Sequence, residues 1–415
     1  MEKQKKIAII GLGYVGLPLA IAFSEFYQVC GFDVNSTRIS ELNNSIDSNG
    51  DIIFSINDKL DFTSDEKKLA SSNIFIVTVP TPVTPNNIPD LSILEIATRM
   101  IAKYIRKGDI VIYESTVYPG VTEEICAPIL EEDSGLKYNF DFYCGYSPER
   151  ISPGADKYSL ENVVKVTSGS TLEVADDIDK MYQKIIKAGT YKAPSIKVAE
   201  AAKVVENTQR DINIALMNEL SMMFDKMNIE TSEVLNAART KWNFLDFKPG
   251  LVGGHCIGVD PYYLLHKSEK MGYKPTLLHS SRTINNKVAA FVVDKTISLL
   301  KDQKISVDNS KVLILGYTFK ENCADTRNTK VKDIVDGLKN VSSNVSIYDP
   351  YLSESSDNNF ISNPFVSEEK YDAIILAVAH NEFLKYSIDD FHNLSKGKLV
   401  FLDLKGIYKE SSWKL

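Results

Sequence analysis

Five cysteines occur in this 415-residue chain: Cys30, Cys126, Cys144, Cys256 and Cys323. Only Cys256 has surroundings that suit chemistry. Gly253, Gly254 and Gly258 flank it, so backbone can come close to a ligand, and the helical pattern after Pro261 sets the thiol ahead of a helix N-terminus. Partial positive charge at that end favours the thiolate, the nucleophilic form. The other four read as small buried hydrophobes. Their wide spacing, without a C-x-x-C pair, indicates neither a zinc site nor a disulfide framework, and five scattered histidines add no structural metal. Asp260 lies one helical turn beyond Cys256, where it can orient a water or take a proton. Lys203, Asn207 and Arg210 recur at i, i+4 and i+7 in a stretch rich in Ala and Val, so three polar groups share one helix face. Such a stripe is either a solvated surface or the wall of a site. In a site, Lys203 serves as a proton carrier or as a fixed cation.

A second constellation stands near the start. Gly11, Gly13 and Gly16 form G-x-G-x-x-G between a strand pattern and a helix pattern, I-A-I-I-G-L-G-Y-V-G-L-P. Gly11 permits the tight turn, Gly13 lets a pyrophosphate approach the backbone, and Gly16 lets helix and strand pack closely. The helix N-terminus then offers amides to the phosphates. Asp33 ends the next strand pattern, where a carboxylate accepts hydrogen bonds from the adenosine ribose and repels a 2′-phosphate. The expected cofactor is therefore NAD. Arg38, one turn later, keeps NADP open as the alternative, or else stacks on the adenine or faces solvent.

Positioning these groups requires alternating elements. Apolar runs at 6–10, 28–32, 74–79, 110–114 and 142–146 predict strands, with helices at 15–24 and 91–105 between them. That alternation implies a parallel sheet covered by helices. Residues 195–227 carry no Gly or Pro and predict one helix of roughly nine turns, with more helix at 235–239 and after Pro261. A second α/β pattern has strands at 312–315, 345–348, 373–378 and 399–402. The fold class is α/β: two Rossmann-like parallel-sheet domains joined by a central helical domain with a long connecting helix. The expected division is 1–194, 195–300 and 301–415. The apolar faces of the long helix, Met217 to Phe224 above all, predict at least a homodimer. A formal net charge of -8 argues against nucleic-acid binding. No apolar run approaches the ~20 residues of a membrane span. Met1 to Lys6 leads straight into a strand with no signal-peptide pattern, so a cytoplasmic protein is expected.

Six stretches in order carry a resemblance: G-L-G-Y-V-G-L-P, V-P-T-P at 79–82, E-S-T-V at 114–117, Y-S-P-E-R at 146–150, G-G-H-C-I-G-V-D-P-Y-Y at 253–263 and F-K-E-N-C-A-D-T-R-N at 319–328. Together they resemble the nucleotide-sugar 6-dehydrogenases, the UDP-glucose/GDP-mannose dehydrogenase family, along essentially the whole chain. The resemblance implies NAD-dependent oxidation of a C6 alcohol to an acid in two hydride transfers. Cys256 would hold the aldehyde as a thiohemiacetal and then a thioester. It assigns Lys203, Asn207 and Asp260 to the C6 oxygen and Glu149 to thioester hydrolysis. Some relatives carry a second glutamate where this chain has Pro153. Thr116 falls beside the nicotinamide, with Tyr14, Val15 and Thr81 also on the cofactor. Arg150, Ile151, Arg210, Phe247, Gly253, Phe319, Lys320 and Arg327 fall on the sugar nucleotide, and Thr240 and Trp242 stand where some relatives place a His or Arg. The form of the cysteine stretch resembles the branch acting on UDP-N-acetylhexosamines (gluco or galacto) in capsule and O-antigen synthesis. UDP-glucose or UDP-N-acetylmannosamine is the alternative substrate, and a catalytically silent NAD- and UDP-sugar-binding regulator is the alternative of another kind. Dimerisation through the long helix is implied as well.

Overall fold

The computed structural model describes residues 4–48, 53–151, 159–341, 344–352 and 359–415. Its first elements are β1 (Lys6–Ile10), α1 (Gly16–Ser24), β2 (Gln28–Phe32), α2 (Ser36–Asn43), β3 (Leu60–Thr63), β4 (Ile74–Val77), α3 (Ser92–Ala102), β5 (Asp109–Tyr113), α4 (Ala127–Ser134) and β6 (Phe142–Tyr146). Runs such as KIAII and IFIV lack polar alternation because both faces of their sheet are covered. Six parallel strands lie in the order β3-β2-β1-β4-β5-β6, with Ile7 opposite both Val29 and Ile74. The strand order reverses between β1 and β4, and that reversal leaves a crevice at the carboxyl ends of the strands. Ile9, Leu19, Phe23, Ile76 and Ile112 are fully buried around this sheet, each contributing about 1.5–3 kcal/mol.

Next come β7 (Lys165–Thr167), α5 (Leu172–Tyr182), β8 (Thr190–Lys192), α6 (Ile196–Met227), α7 (Thr231–Ala238), α8 (Asp260–Lys270) and α9 (Thr276–Asp302). The chain ends with β9 (Lys311–Leu315), α10 (Val331–Lys339), β10 (Asn344–Tyr348), β11 (Ala373–Leu376), α11 (Ile388–Asn393), β12 (Phe401–Asp403) and β13 (Trp413–Lys414). The second sheet is also parallel, in the order β10-β9-β11-β12-β13, the other common doubly wound arrangement. Strands β3, β7, β8 and β13 are not among the runs expected from sequence. Each has two to four residues, too few to show a period, and each exists because a neighbour's edge is there to pair with.

Two compact units result: Met1–Glu206 with Tyr262–Tyr273, and Asn207–Pro261 with Lys274–Leu415. The helical stretch contributes to both units, the boundaries falling inside α6 and α8. Val288, Val292 and Val293 of α9 belong to the core of the second sheet, which ties that helix to the unit it precedes.

Within the first unit, α6 supports the loop beyond β5. Glu200 is fully buried, and its carboxylate accepts N–H bonds from Gly120 (2.6 Å) and Thr122 (2.9 Å). Burial pushes its carboxyl up to about 7 from an ordinary 4.5, although those two N–H bonds pull the other way. The folded chain therefore holds this proton more tightly than the unfolded chain. The resulting stability is complete below pH 4.5 and is lost as pH rises towards about 7. Over that interval the wild type should lose about 2–4 kcal/mol more unfolding free energy than Glu200→Gln. Urea midpoints at constant salt measure the difference, and parallel pH curves would contradict it.

Candidate active site

At the end of β1 the chain turns through Gly11 (φ +93), whose N–H bonds to Phe32 O at 2.8 Å. A Cβ on Gly16 would lie 1.8 Å from the Gly11 carbonyl oxygen, so only glycine lets α1 start against that turn. Gly13 has no atom within 4 Å of where its Cβ would be, which leaves open space for a ligand. No side chain caps α1 and no acid lies in its first turn, so its amides remain available to an anion. Tyr14 is exposed and Val15 half-buried at this helix start. Asp33 accepts N–H bonds from Leu12 and Asn35, both 2.9 Å. It lines an open recess of about 280 Å³ with Leu12, Gly13, Asn35, Arg38 and Ser48. Arg38 does not face solvent. It is buried, donates to Leu12 O (3.1 Å) and pairs with Asp47 (2.7 Å), so its charge is committed within the protein. Across the crevice Thr81 Oγ1 donates to Thr116 O (2.7 Å), and the Tyr263 hydroxyl donates to Thr81 O (2.7 Å). An open glycine, uncapped amides and an acid facing the recess fit a dinucleotide.

The second sheet repeats this design and closes it. Gly316 N–H bonds to Tyr348 O as Gly11 does to Phe32 O. Asp349 stands where Asp33 stands, but its oxygens take the N–H groups of Tyr317, Thr318 and Tyr351. His380 completes its shell: Nδ1 accepts from Asn322 N–H (2.9 Å), so Nε2 carries the proton and donates to Asp349 (3.0 Å). Asp349 and His380 are buried, and no acid is left for a ribose. The loop they hold presents Phe319 and Lys320, whose ammonium lies 5.6 Å from the Phe319 ring centre.

Of the expected catalytic groups, the first unit carries Thr116, Glu149 and Lys203. Lys203 is buried on α6, and its ammonium donates to Glu149 O at 2.7 Å, so this part of the polar stripe is not a solvated face. Glu149 Oε1 accepts the Ile151 N–H. Arg150 is held by Glu206 (2.7 Å) and Val164 O (2.8 Å). Pro153 lies outside the described residues. Behind Glu149 stands a buried set of residues that sequence reasoning missed: Glu114, Lys165 and Tyr182. Lys165 pairs with Glu114 at 2.5 Å, and the Tyr182 hydroxyl donates to the same carboxylate. Burial raises the Glu114 carboxyl, the Lys165 ammonium opposes that rise, and the charge of Glu149 adds to it.

The second unit carries Cys256, Asn207 and Asp260. Cys256 is exposed in the turn before α8, and its carbonyl accepts the Asp260 N–H at 2.8 Å. By contrast, burial pushes the thiols of Cys30 and Cys126 up to about 11 and 12 and raises that of Cys144 well above its ordinary value. Asp260 is buried at the first position of α8, and its Oδ2 accepts from Asn207 Nδ2 at 2.6 Å. The glycines before Cys256 serve the chain's own packing: a Cβ on Gly253 would meet Asn328 O at 2.6 Å, and one on Gly254 (φ +80) the Phe319 ring at 2.6 Å. Asn218 pins the preceding loop by exchanging two bonds with the Gly250 backbone (2.8 and 3.0 Å). Phe247 is half-buried in that loop, while Arg210, Thr240 and Trp242 are exposed. Arg327 is turned onto Asp325 (2.7 Å), which also pairs with His255 (3.0 Å). Partial burial pushes the Asp325 carboxyl up, but bonds from Arg327 and His255 outweigh it and hold it at about 2. Asp325 was missed as well; its partners lie 70 and 2 positions away, and spacing shows no such link.

Three family models match in order. They are the UDP-glucose/GDP-mannose dehydrogenase family NAD binding domain over residues 5–186, the central domain over 197–287 and the UDP binding domain over 313–410. A UDP-N-acetyl-D-glucosamine 6-dehydrogenase of Pseudomonas aeruginosa is 51% identical over 414 residues, covering 98% of each chain. One of Salmonella typhi is 52% identical over 411 residues, covering 97% of this chain and 96% of its own. A solved UDP-D-ManNAc dehydrogenase from Pyrococcus horikoshii aligns with a TM-score of 0.88 at 32% identity, covering 99% of this chain and 98% of its own.

Proposed function

The chain belongs to the UDP-glucose/GDP-mannose dehydrogenase family, and from that premise we propose that it oxidises the C6 alcohol of UDP-N-acetylglucosamine to the uronic acid with NAD⁺. The observation that carries this reading is an exposed Cys256 before α8, one turn from the Asn207–Asp260 pair, in a chain 51% identical to a 6-dehydrogenase acting on that sugar. UDP-N-acetylgalactosamine is the neighbouring candidate, since one epimeric hydroxyl is read by few contacts. We assign residues 1–194 to NAD, 195–300 to the catalytic helices and 301–415 to the UDP moiety.

Bound NAD⁺ supplies the hydride acceptor. Lys203 and the Asn207–Asp260 pair hold the C6 oxygen and stabilise charge developing on it. The Cys256 thiolate adds to the C6 aldehyde carbon and gives a thiohemiacetal, so the aldehyde cannot escape. Oxidation of that adduct leaves a thioester. Glu149 takes a proton from water, the water oxygen adds to the acyl carbon, and the thiolate leaves with its electron pair. Asp33 favours NAD over its 2′-phosphorylated form by charge. The product suits an acidic surface polysaccharide. A cytoplasmic site of action fits a soluble cofactor, and no helix among the described residues is long and apolar enough to cross a membrane. The exposed Leu216, Met223 and Met227 recur along one face of α6 and support a homodimer or larger homo-oligomer built there.

An NADH assay across UDP- and GDP-sugars tests the substrate. The fastest turnover should be with UDP-N-acetylglucosamine, yielding two NADH per sugar. Faster oxidation of UDP-glucose, or one NADH per sugar, would overturn the assignment. Cys256→Ser should lower turnover by ~10³-fold or more while both ligands still bind; steady-state rates beside calorimetric titration report the two effects separately. Light scattering should give a mass at least about twice the 46.4 kDa chain, and an active species at the single-chain mass would remove the dimer.

A further inference from the structure

The reaction described above makes no use of the charges behind Glu149. Glu114 follows β5, Lys165 opens β7 and Tyr182 ends α5, so three separate elements of the first unit bring them together. Lys165 Nζ stands 2.5 Å from Glu114 Oε2 and 3.9 Å from Glu149 Oε2. The Tyr182 hydroxyl donates to Glu114 Oε1, and its ring lies under the Lys165 ammonium at 5.5 Å. The side chains of Glu114 and Lys165 are 0% and 3% exposed, that of Glu149 14%. One ammonium thus faces two carboxylates where water screens them little.

We propose that Lys165 is the positioning residue of Glu149: its ammonium, anchored by Glu114 and Tyr182, aims the Glu149 carboxylate and stabilises it as the base for thioester hydrolysis. This rests on Glu149 being that base. A buried charge without a partner is costly, and a single cation shared by two acids leaves the set one positive charge short. The other groups facing Glu149 are the Ile151 N–H on Oε1 and the Lys203 ammonium on its carbonyl, both of them donors. Glu114 is the like charge that competes for Lys165. Removing Lys165 and removing the charge of Glu114 must therefore act on Glu149 in opposite directions. A purely structural role predicts no such opposition.

The test uses the full chain with UDP-N-acetylglucosamine and saturating NAD⁺. Two readouts are followed across pH: uronate release, and the fraction of acid-quenched protein carrying the acyl adduct by intact mass. In Lys165→Met the acidic limb of uronate release should move up by at least one pH unit. The adduct should then accumulate at pH values where the wild type turns over, with release about tenfold slower there. In Glu114→Gln the limb should move down, and in the double variant it should lie between the two. The KM for the sugar nucleotide should stay within twofold throughout. Limbs that move together, or that do not move, overturn the positioning role even when Glu149→Gln has lost hydrolysis and the base assignment stands. If Glu149→Gln hydrolyses at the wild-type rate, the base assignment and the positioning role fall together. Thermal melting checks the fold of Lys165→Met. Should that variant not fold, Glu114→Gln, which keeps an acceptor for the Tyr182 hydroxyl, decides alone: a downward limb supports the role and an unmoved one overturns it.

Discussion

Parallel sheets end in loops whose backbone N–H groups no strand can satisfy, and in this protein carboxylates take them up. Asp33 accepts from Leu12 and Asn35, Asp349 from Tyr317, Thr318 and Tyr351, and Asp403 from Lys405, Gly406 and Tyr408. Glu200 does the same for Gly120 and Thr122, reaching from a helix. An unpaired buried N–H costs about 1–3 kcal/mol, so each acid holds its loop in one arrangement. Those loops are where parallel sheets bind ligands. The groups that complete the fold are therefore the groups that shape the sites.

Whether such an acid also serves a ligand depends on what else reaches it. Asp33 has two N–H partners and opens onto a recess of about 280 Å³. Asp349 has three, and His380 closes over it. Equivalent turns, Gly11 in one sheet and Gly316 in the other, thus lead to an acid open to a recess in one unit and a sealed structural joint in the other. The second unit is left to present Phe319 and Lys320 from the loop that this joint fixes. The cysteines divide in the same way. Burial holds Cys30, Cys126 and Cys144 as thiols, while Cys256 sits exposed in the turn before α8.

Charge in the interior shows a further economy. Asp211 is matched by Arg282 and Asn285 within the second unit. Around Glu114, Lys165 and Glu149 the match is incomplete, with two acids for one cation. Full pairing favours a rigid scaffold, whereas a shared cation leaves one carboxylate incompletely paired.

Local pattern alone determined a good deal. The strands at 6–10, 28–32 and 142–146 coincide with β1, β2 and β6, and the expected helix at 195–227 with α6 to within a residue, because long unbroken periods leave the backbone one cheap answer. The glycine fingerprint with Asp33 was legible for the same reason, since its residues are neighbours in sequence and share one turn. Tertiary structure alone decided the rest. Arg38 reads as a group at the cofactor or in solvent, and only the fold shows it held by Asp47 and the Leu12 carbonyl at the wall of the recess. Gly253 and Gly254 suggest room for a ligand, yet they accommodate Asn328 and Phe319 of the chain itself. Lys165 shares no local spacing with its partners, which stand at 114, 149 and 182 on other parts of the chain. Sequence spacing encodes which residues share a face of one element. Charges, by contrast, are balanced across elements, at distances that exist only once the chain has folded.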